Sequence, residues 1–218
     1  VSLSISIILF EGGLTLKKEE VLNVGPVIGK LITLGSLVTF VGGGIAGMQS
    51  SLDLANSGFK VYLLDSSPAI GGTMAQLDKT FPTNDCSMCI LSPKLVDVDR
   101  HPNIELVTYS ELEEVTDRAG NFKVKIRKKA RYVTGACVGC GLCADACVLA
   151  NRLPNEFGEG IKKRGAVYIP YAQAVPLVYV VNQDQCLFLK NGKCSQKCLD
   201  ACPSNAINFD MKDEEIEI

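Results

Sequence analysis

The chain of 218 residues has little of what would mark a hydrolase, a nucleic-acid-binding protein or a membrane protein. Its single histidine, His101, precedes Pro102-Asn103 and is expected to lie in a turn, and no catalytic triad or acid–base carboxylate pair is evident. No run reaches the roughly 18 uncharged apolar residues that a membrane-spanning helix needs. The net charge of −2 gives no electrostatic reason to expect nucleic acid or an anionic membrane as a partner.

What the sequence has in abundance is cysteine, with ten residues of this type. Ten cysteines could build a disulfide framework in a secreted protein, but no clean secretory signal is present. Their clustered spacings suit metal binding better than disulfide crosslinks. The sequence therefore indicates a reducing compartment, and we expect a cytoplasmic protein.

The N-terminal region differs in composition from the rest of the chain. Residues 1–36 are expected to form an apolar helical segment, in which two apolar halves flank the polar break "EGGLTLKKEE". Each half could be a partial or re-entrant membrane segment, or a buried piece of core. Because the chain begins at Val1 rather than methionine and ends on "MKDEEIEI", we interpret it as a fragment.

The stretch "ISIILFEGGLTLKKEEVLNVGPVIGKLITLGSLVTF", within residues 1–40, resembles a membrane segment of cation/proton antiporters of the sodium–proton exchange type. The likeness ends abruptly where a different signature begins. We interpret this region as an artificial join, with a natural fusion as the alternative. We expect membrane contact only if residues 1–40 belong to the native protein.

From Leu37 onward the pattern alternates between strand and helix. "LVTFV" predicts a short buried strand, "GGGIAG" a turn, and "KVYLLD" a second strand. Between them, "MQSSLDLANSG" predicts a helix that buries Met48, Leu52 and Ala55 and ends at Gly58, its C-terminal cap. Such a unit predicts a right-handed crossover between parallel strands, the βαβ start of a Rossmann-like α/β fold.

Gly42, Gly44 and Gly47 form a G-x-G-x-x-G pattern after a strand and at the start of a helix, as a dinucleotide-binding loop requires. Gly42 permits the tight turn, and Gly44 lets the backbone approach a pyrophosphate at the helix N-terminus. Gly47 lets helix and strand pack closely. Asp65 ends the second strand, where its carboxylate can hold ribose hydroxyls; the alternative is a turn residue.

Gly71 and Gly72 follow the carboxylate of Asp65 by six and seven residues. This spacing resembles flavoproteins with two dinucleotide-binding domains more than simple NAD dehydrogenases, so it favours FAD as the cofactor. Those flavoproteins usually carry Glu where this chain has Asp65, and the shorter side chain has less reach toward the ribose.

The stretch "ACVGCGLCADAC" has the ferredoxin spacing C-x2-C-x2-C-x3-C, formed by Cys137, Cys140, Cys143 and Cys147. The short gaps wrap three thiolates around one face of a four-iron cluster, and Gly139 and Gly141 keep backbone amides close to the cluster sulfurs. A structural zinc site seldom needs ligands spaced so closely. The residue after the fourth cysteine is Val148 rather than the usual proline, so the exit turn departs from the pattern.

A second set ends in "CLDACPSNAI" and consists of Cys186, Cys194, Cys198 and Cys202. Its ending has the C-x3-C-P form of the same module, although the gap between Cys194 and Cys198 is longer than usual. In two-cluster ferredoxins the fourth cysteine of each run serves the other cluster. We therefore predict two 4Fe-4S clusters with crossed ligands, one held by Cys137, Cys140, Cys143 and Cys202, the other by Cys186, Cys194, Cys198 and Cys147.

Two further cysteines, Cys86 and Cys89 in "TNDCSMCILSPK", form a lone C-x2-C. The sequence leaves three interpretations open: a redox dithiol near the flavin, two ligands of a cluster completed elsewhere, or buried thiols. No residue is assigned a catalytic role.

Two later stretches predict strands: "IELVTYSEL", and "NFKVKIRKKARYV", half-buried with the basic run 123–131 as a solvated face. We thus predict four regions: an apolar helical segment (1–36), the first part of an FAD-binding domain (37–133), a ferredoxin-like 4Fe-4S domain (134–210) and a truncated return to the FAD domain (211–218).

Residues from about 38 to 218 resemble the A subunit of heterodisulfide reductase, above all in "VGGGIAGMQSSLDLANSGFKVYLLDSSPAIGGTMAQLDKTFPTNDCSMCILSPKL", "HPNIELVTYSELEEV" and "YIPYAQAVP". The resemblance implies an FAD-containing iron–sulfur protein from methanogens or sulfate reducers. It implies a thioredoxin-reductase-like flavin domain, here incomplete, with a ferredoxin domain inserted into it.

The resemblance also implies an oxidoreductase subunit that relays electrons between flavin and clusters, with flavin-based bifurcation. The implied partners are other subunits of the complex and a hydrogenase or dehydrogenase as electron donor. We do not expect the fragment alone to be active as an enzyme. One alternative is an electron-input flavoprotein of the glutamate-synthase or dihydropyrimidine-dehydrogenase type, although there the cysteines usually precede the flavin loop. The other is a membrane transporter fragment.

Overall fold

The computed structural model describes residues 42–118 and 121–218. The apolar segment 1–36, the antiporter-like stretch and the predicted first strand "LVTFV" lie outside these described residues. Within them, no helix is both long enough and apolar enough to cross a membrane.

The first part of the described chain alternates helix and strand. Its elements are α1 (Ile45–Asn56), β1 (Val61–Asp65), a 3₁₀ helix (Gly72–Gln76), α2 (Ser87–Arg100) and β2 (Ile104–Thr108). β2 pairs with β1 in parallel, in the register Val61 to Ile104 through Asp65 to Thr108. A parallel pair joined by a helical crossover is the expected product of the predicted strand–helix alternation.

Helix α1 follows its apolar periodicity. Met48, Leu52 and Ala55 recur at helical spacing, and all three are buried against the sheet, as predicted. The helix ends at the C-cap Ser57, and Gly58 follows with φ of 92°, a left-handed backbone angle that glycine adopts without strain. Gly58 is therefore the glycine that ends the helix.

The strands β1 and β2 lie between two other layers. Leu63 of β1 faces α1 and α2, in a core that also includes Leu91 and Val98. Its neighbour Leu64 points to the opposite face and packs in a separate cluster that contains Val124. This alternation is the period of two that a strand buried on both faces shows.

The layer that covers Leu64 is a second sheet. It consists of β3 (Ser110–Arg118), β4 (Asn121–Lys128) and β9 (Glu214–Glu217), in the antiparallel order β3-β4-β9. Residues 211–218, predicted to return from the cysteine region, thus contribute the strand β9 to this sheet. Salt bridges join its strands, among them Arg127 to Glu111 at 2.8 Å and Lys125 to Glu215 at 2.9 Å.

Two strand predictions need correction. "IELVTYSEL" is not one strand, because Tyr109 takes φ of 59° and divides it into β2 and β3, which belong to different sheets. The basic run 123–131 is not solvated throughout: the strand ends at Lys128, and Arg131 is 8% exposed. The Arg131 guanidinium donates to the Pro68 carbonyl and, at 2.6 Å, to Thr108 Oγ1, so it links the loop after β1 to the end of β2 rather than facing solvent.

The cysteine-rich region has only short regular elements. They are α3 (Leu142–Asp145), β5 (Leu153–Pro154), a 3₁₀ helix (Glu156–Gly158), β6 (Lys163–Arg164), β7 (Val167–Tyr168), β8 (Val180–Val181), α4 (Leu187–Asn191) and α5 (Lys197–Asp200). β5 pairs with β6 and β7 with β8, both antiparallel. An isolated bridge between Ile70 and Val175 joins this region to the α/β part.

Candidate functional site

The glycine loop leads directly into α1. Gly44 is the N-cap residue, its N–H donates to the Gly42 carbonyl at 2.7 Å, and its own carbonyl accepts from Met48 N–H at 2.9 Å. Among the residues that the structure describes, no side chain caps this helix end, and no atom lies within 4 Å of a methyl group placed on Gly42 or Gly44. Uncapped N–H groups next to open space are what an anionic group such as a pyrophosphate requires. Gly47 is buried within the helix.

The middle glycine of the loop, Gly43, was not assigned a role from the sequence, yet it is the most tightly enclosed. A methyl group on Gly43 would collide with Ile70 and come within 2.6 Å of Asp65 Oδ2. The carbonyl of Gly43 also accepts from Gly71 N–H at 2.6 Å. Three consecutive glycines were the only available signal, since the contacts come from residues more than 20 positions away.

Asp65 lies beside this loop at the end of β1. Its Oδ1 accepts from Ser67 N–H at 2.7 Å, so the carboxylate does stabilise the turn after the strand. It also lines a cavity of about 450 Å³ together with Gly42, Ser66, Glu111 and Leu112. The position fits a role in ribose binding, which stays a prediction. Glu111 was missed from the sequence because its strand enters the site from the second sheet.

Gly71 and Gly72 lie on the other side of the loop. Gly71 has φ of 127°, and a side chain there would come within 2.5 Å of the Tyr171 hydroxyl. A methyl group on Gly72 would approach Gly44 Cα to 3.0 Å. The two glycines therefore let the backbone of residues 71–72, the glycine loop and the Tyr171 ring meet closely.

A second cavity, of about 430 Å³, opens beside Gly72 and is walled by both parts of the molecule. Gly72, Thr73 and Gln76 come from the α/β part. The α/β part also supplies the segment 67–69, and the cysteine region supplies the opposite wall, which includes Asn155, Phe157, Arg164, Tyr171 and Asn182.

A ring stack and side-chain hydrogen bonds hold the wall that comes from the cysteine region. The rings of Phe157 and Tyr171 stack at 5.0 Å between centroids. The Tyr171 hydroxyl donates to the Ile70 carbonyl, and burial, together with the charge of Asp65, raises the pKa of Tyr171 to about 12. The buried Arg164 guanidinium donates twice to Glu156 at 2.7 Å, and this pair lowers the pKa of the Glu156 carboxyl. Because the pKa of Tyr171 is raised, its hydroxyl stays protonated at neutral pH and can donate to the Ile70 carbonyl.

The first predicted cluster set brings together cysteines from both runs. Burial raises the pKa of the Cys143 thiol to about 12, and the neighbouring thiols of Cys137, Cys202 and Cys140 also raise it. Electrostatic coupling of this kind needs short distances. Cys202, about sixty residues along the chain, is thus a neighbour of the first run.

The second predicted set faces one narrow cavity, lined by Cys147, Cys186, Cys194 and Cys198 with apolar neighbours such as Phe188 and Phe209. Burial raises the pKa of the Cys198 thiol to about 11, and the thiols of Cys147, Cys186 and Cys194 add to the rise. The cavity thus contains the fourth cysteine of the first run, the arrangement that crossed ligation needs.

The two halves of the cysteine region repeat one local structure. Gly141 precedes the four-residue helix α3 with φ of 86°, and Gln196 precedes the four-residue helix α5 with φ of 52°. Each helix carries a buried cysteine, Cys143 or Cys198, and another cysteine follows its C-cap. The irregular gap before Cys198 therefore leaves this local repeat intact.

Backbone amides also point at sulfur in this region. Gly139 N–H donates to Cys137 Sγ at 3.4 Å, and Ala206 N–H donates to Cys202 Sγ at 3.3 Å. Although burial acts to raise the pKa of Cys202, the hydrogen bonds from Ala206 and Ser204 lower it below its ordinary value. Amide donors of this kind stabilise thiolates, the form that ligates iron.

No three His, Cys, Asp or Glu side chains within 42–118 and 121–218 converge closely enough to hold a single metal ion. A four-iron cluster keeps its thiolates further apart than one ion does, because four irons and their sulfides stand between them. The donor type, the apolar surroundings and the N–H···S hydrogen bonds fit such a cluster.

Cys86 and Cys89 lie apart from both sets. The structure joins them in a disulfide with 5.2 Å between their Cα atoms, and both residues are exposed. The interpretation as buried thiols is therefore wrong. The other two interpretations of this C-x2-C remain.

A protein-family model described as an NAD(P)-binding Rossmann-like domain matches residues 41–102. This match covers the glycine loop, α1, β1 and α2, and it confirms the Rossmann-like α/β fold predicted for this part of the chain. The cysteine region lies outside this match, so its predicted ferredoxin-like fold stays a prediction.

Curated relatives match most of the chain. The iron–sulfur A subunit of the CoB–CoM heterodisulfide reductase of Methanocaldococcus jannaschii is 49% identical over 190 residues, which are 87% of this chain and 28% of that protein. The A subunit of the H(2):CoB-CoM heterodisulfide,ferredoxin reductase of Methanothermobacter thermautotrophicus is 48% identical over 194 residues, 88% of this chain and 28% of that protein. The chain thus spans less than a third of these relatives' length.

A third relative, from Archaeoglobus profundus, is named as a protein like the A subunit of heterodisulfide reductase. It is 54% identical over 163 residues, 74% of this chain and 23% of that protein. Among solved structures, L-proline dehydrogenase from P. horikoshii covers 45% of this chain and 19% of its own, with a TM-score of 0.36 and 23% identity. A structural likeness this weak assigns neither a fold nor a function to the chain.

Proposed function

Because this chain belongs, over most of its length, to the family of heterodisulfide reductase A subunits, we propose that it binds FAD and two 4Fe-4S clusters and relays electrons between them. It would do so within an oxidoreductase complex of several subunits. Family membership alone does not assign cofactors to residues, so the assignment rests on the geometry of the described part.

The proposal for FAD is supported by the arrangement around the glycine loop. The uncapped N-terminus of α1 can hold a pyrophosphate through its N–H groups. On one side, the cavity of about 450 Å³ at Asp65 offers the Asp65 carboxylate for ribose hydroxyls. On the other, the cavity of about 430 Å³ at Gly72 offers aromatic walls and amide side chains for the second half of a dinucleotide. Two cavities flanking one anion-binding turn suit an extended dinucleotide.

The proposal for two clusters is supported by the crossed grouping of thiols. Cys202 lies with the first run and Cys147 with the second, as paired ferredoxin motifs predict. We propose that these eight cysteines are the cluster ligands, within a ferredoxin-like domain of residues 134–210. Burial and N–H···S hydrogen bonds would set how readily each cluster accepts an electron.

The observation that carries the proposal is the shared wall of the cavity beside Gly72. One face of that cavity belongs to the dinucleotide-binding part, and the other belongs to the cysteine region. Asn182 lines it, and its carbonyl accepts from Cys186 N–H at 2.9 Å, so a cysteine of the second set is anchored to the cavity wall. When bound, a flavin exchanges electrons in pairs and iron–sulfur clusters exchange them singly.

The chain's own contribution is to hold and enclose these groups. Tyr171 and Phe157 close the cavity with stacked rings, and Arg164 with Glu156 fixes the adjoining loop. We also propose the further subunits of a heterodisulfide reductase-type complex and a hydrogenase or dehydrogenase donor as partners. Flavin-based bifurcation and a cytoplasmic location are parts of the same proposal.

The experiment is anaerobic reconstitution of the full chain with iron, sulfide and FAD. We expect about eight irons and eight sulfides per chain, together with a flavin absorbance that is retained after gel filtration. Variants Cys143→Ala and Cys198→Ala should each lose about half of the iron. The matched control is Cys86→Ser, which removes a cysteine outside both sets and should keep the iron.

Two outcomes would contradict the proposal. Stoichiometric zinc without iron would exclude the cluster assignment, because zinc needs only four of these thiolates and no sulfide. Retention of iron without any bound flavin at saturating FAD would contradict the proposal that the chain binds FAD.

A further inference from the structure

The pair Cys86 and Cys89 is assigned no role by the proposed function. The other eight cysteines carry free thiols and belong to the cysteine region, whereas these two lie in the Rossmann-like part and form a disulfide. The Cα separation of 5.2 Å is ordinary for a disulfide, so no backbone movement is needed to close the bond.

The helix that carries the pair favours a reactive thiolate at Cys86. Cys86 is the N-cap of the 14-residue helix α2, and its Sγ accepts the N–H of Cys89 at 3.2 Å. An amide donor and the positive end of a helix dipole both stabilise a thiolate relative to a thiol. Cys89, one turn into the helix, would be the resolving thiol.

The pair lies on the cofactor-binding edge of the sheet. α1 and α2 run side by side in the same direction: Lys94 contacts Gln49 near their middles, and His101 Nε2 lies 3.3 Å from Asn56 Oδ1 at their C-terminal ends. Both helices precede strands of one parallel pair, so both N-termini lie at the carboxyl ends of the strands. The glycine loop is at one N-terminus and Cys86 is at the other.

The pair is also accessible. Residues 81–86 are exposed throughout, and the Phe81 side chain is 97% exposed. The segment is held by the hydrogen bond from Ser87 N–H to the Asp78 carbonyl at 3.1 Å and by a bridge between Lys79 and Cys86. A held, exposed C-x2-C can be reached by an external disulfide without unfolding of the helix.

We propose that Cys86 and Cys89 form a redox-active dithiol–disulfide couple that exchanges with external disulfides and dithiols. In the forward direction, the Cys86 thiolate attacks a disulfide RS–SR, which forms Cys86–S–SR and releases RS⁻. The Cys89 thiol then loses its proton and attacks Cys86 Sγ, which forms the intramolecular disulfide and releases the second RS⁻. The dithiol loses two electrons and RS–SR gains them. The proton that Cys86 gave to solvent when its thiolate formed and the proton of Cys89 pass to the two released thiolates. An external dithiol reverses the reaction.

A single tryptic peptide reports on this couple. Cleavage after Lys79 and Lys94 gives Thr80–Lys94, which contains Cys86 and Cys89 and no other cysteine. The full chain is equilibrated anaerobically in mixtures of reduced and oxidised dithiothreitol, quenched in acid, alkylated and digested. We expect the peptide to pass from two labels to none along a reversible two-electron curve, with little of the singly labelled form.

Single variants identify the attacking sulfur. With a small disulfide such as hydroxyethyl disulfide, Cys89→Ser should trap a mixed adduct on Cys86. Cys86→Ser should form its adduct at Cys89 about 10-fold more slowly at neutral pH, because Cys89 lacks the stabilising amide. Equal rates for the two variants would overturn the assignment of Cys86 as the nucleophile.

A second arm distinguishes the source of the disulfide. The reduced chain is incubated with hydroxyethyl disulfide or with insulin as a protein disulfide, and labelling of the same peptide is followed. Reaction with either disulfide supports the couple and identifies the source, whereas reaction with neither overturns the proposal.

Two labels at every dithiothreitol ratio would also overturn the proposal. So would loss of iron in Cys86→Ser, because the pair would then ligate a cluster. The peptide readout needs neither flavin nor iron, so its failure is separate from failure of the proposed function.

Discussion

The Rossmann-like part and the cysteine region are stabilised in different ways. The first has helices of 12 and 14 residues and a core of aliphatic side chains such as Leu63, Leu91 and Val98. The second has helices of four or five residues and strands of two, too short to be stable alone. Its core places the buried cysteines Cys143, Cys186 and Cys198 among apolar side chains such as Val167 and Val181.

This difference separates a scaffold from a region that depends on its cofactors. Burial of aliphatic side chains stabilises the first part whether or not a ligand is bound. Buried thiols contribute little by themselves, and the raised pKa values of Cys143 and Cys198 show that thiolates there need positive charge nearby. Iron would supply that charge, so cluster assembly and folding of the cysteine region should be coupled.

The largest expected effect follows from removal of the clusters. Chelation of iron from the reconstituted chain should abolish hydrogen-exchange protection across 134–210, because the thiolates would lose the metal that holds them together. Protection of α2 and β1 should persist, since their core contains no cysteine. The measurement is hydrogen exchange followed by mass spectrometry, with and without a chelator. Equal loss of protection in both regions would contradict this division into scaffold and cofactor-dependent region.

The next effect separates the two clusters within the cysteine region. Cys140→Ala and Cys202→Ala should remove the same paramagnetic signal and about four of eight irons each, because both thiols belong to the first set. Cys194→Ala should remove the other signal. Electron paramagnetic resonance of the reduced variants checks this, and removal of one signal by both Cys202→Ala and Cys194→Ala would exclude crossed ligation.

A smaller effect tests the glycine loop of the Rossmann-like part. Gly44→Val should weaken FAD binding by about 100-fold or more, because open space beside the backbone would be filled where a pyrophosphate must approach. Asp65→Asn should cost about 10-fold, since asparagine keeps part of the hydrogen bonding to ribose. Fluorescence titration with FAD measures both.

Gly43→Val serves as the contrasting variant for this test. Its side chain would collide with Ile70 and Asp65, so it should destabilise the fold rather than only the cofactor site. Circular dichroism should therefore show a lowered melting temperature for Gly43→Val and an unchanged one for Gly44→Val. An unchanged FAD affinity in Gly44→Val would mean that the loop is only a tight turn.

The smallest effect concerns pH and the wall of the shared cavity. Arg164 lowers the pKa of Glu156 in the folded chain, so this pair stabilises the fold above the ordinary carboxyl value of 4.5. That contribution is lost as the pH falls through the lowered pKa. Because Glu156 is largely exposed, the effect should stay below about 1 kcal/mol.

Thermal melts of Glu156→Gln between pH 7 and pH 3 check this prediction. The variant should melt slightly below the unaltered chain at pH 7, and the difference should disappear in acid. Glu159→Gln is the control, because Glu159 is an exposed neighbour that makes no ion pair among the described residues. A difference that grows in acid would contradict a lowered pKa for Glu156 in the folded chain.

Local patterns were enough to predict a large part of the fold. The buried face of α1, its end at Gly58 and the strand β1 follow from apolar spacing and one glycine within about 20 residues of sequence. The strand "IELVTYSEL" was predicted wrongly at Tyr109, because its apolar and polar alternation continues through a residue whose φ is positive. The alternation gives no signal of a break, since the break depends on which sheet each half joins.

Short-range spacing alone was enough to predict the glycine loop, the two cysteine sets and their crossed ligation, because each motif lies within a few tens of residues. The enclosure of Gly43 by Asp65 and Ile70 and the burial of Arg131 emerged only once the layers were packed. The same holds for Tyr171, which reaches Ile70 from 101 positions away and helps form a cavity shared by both regions. Contacts at such separations depend on how the layers pack, and no short stretch of sequence records that packing.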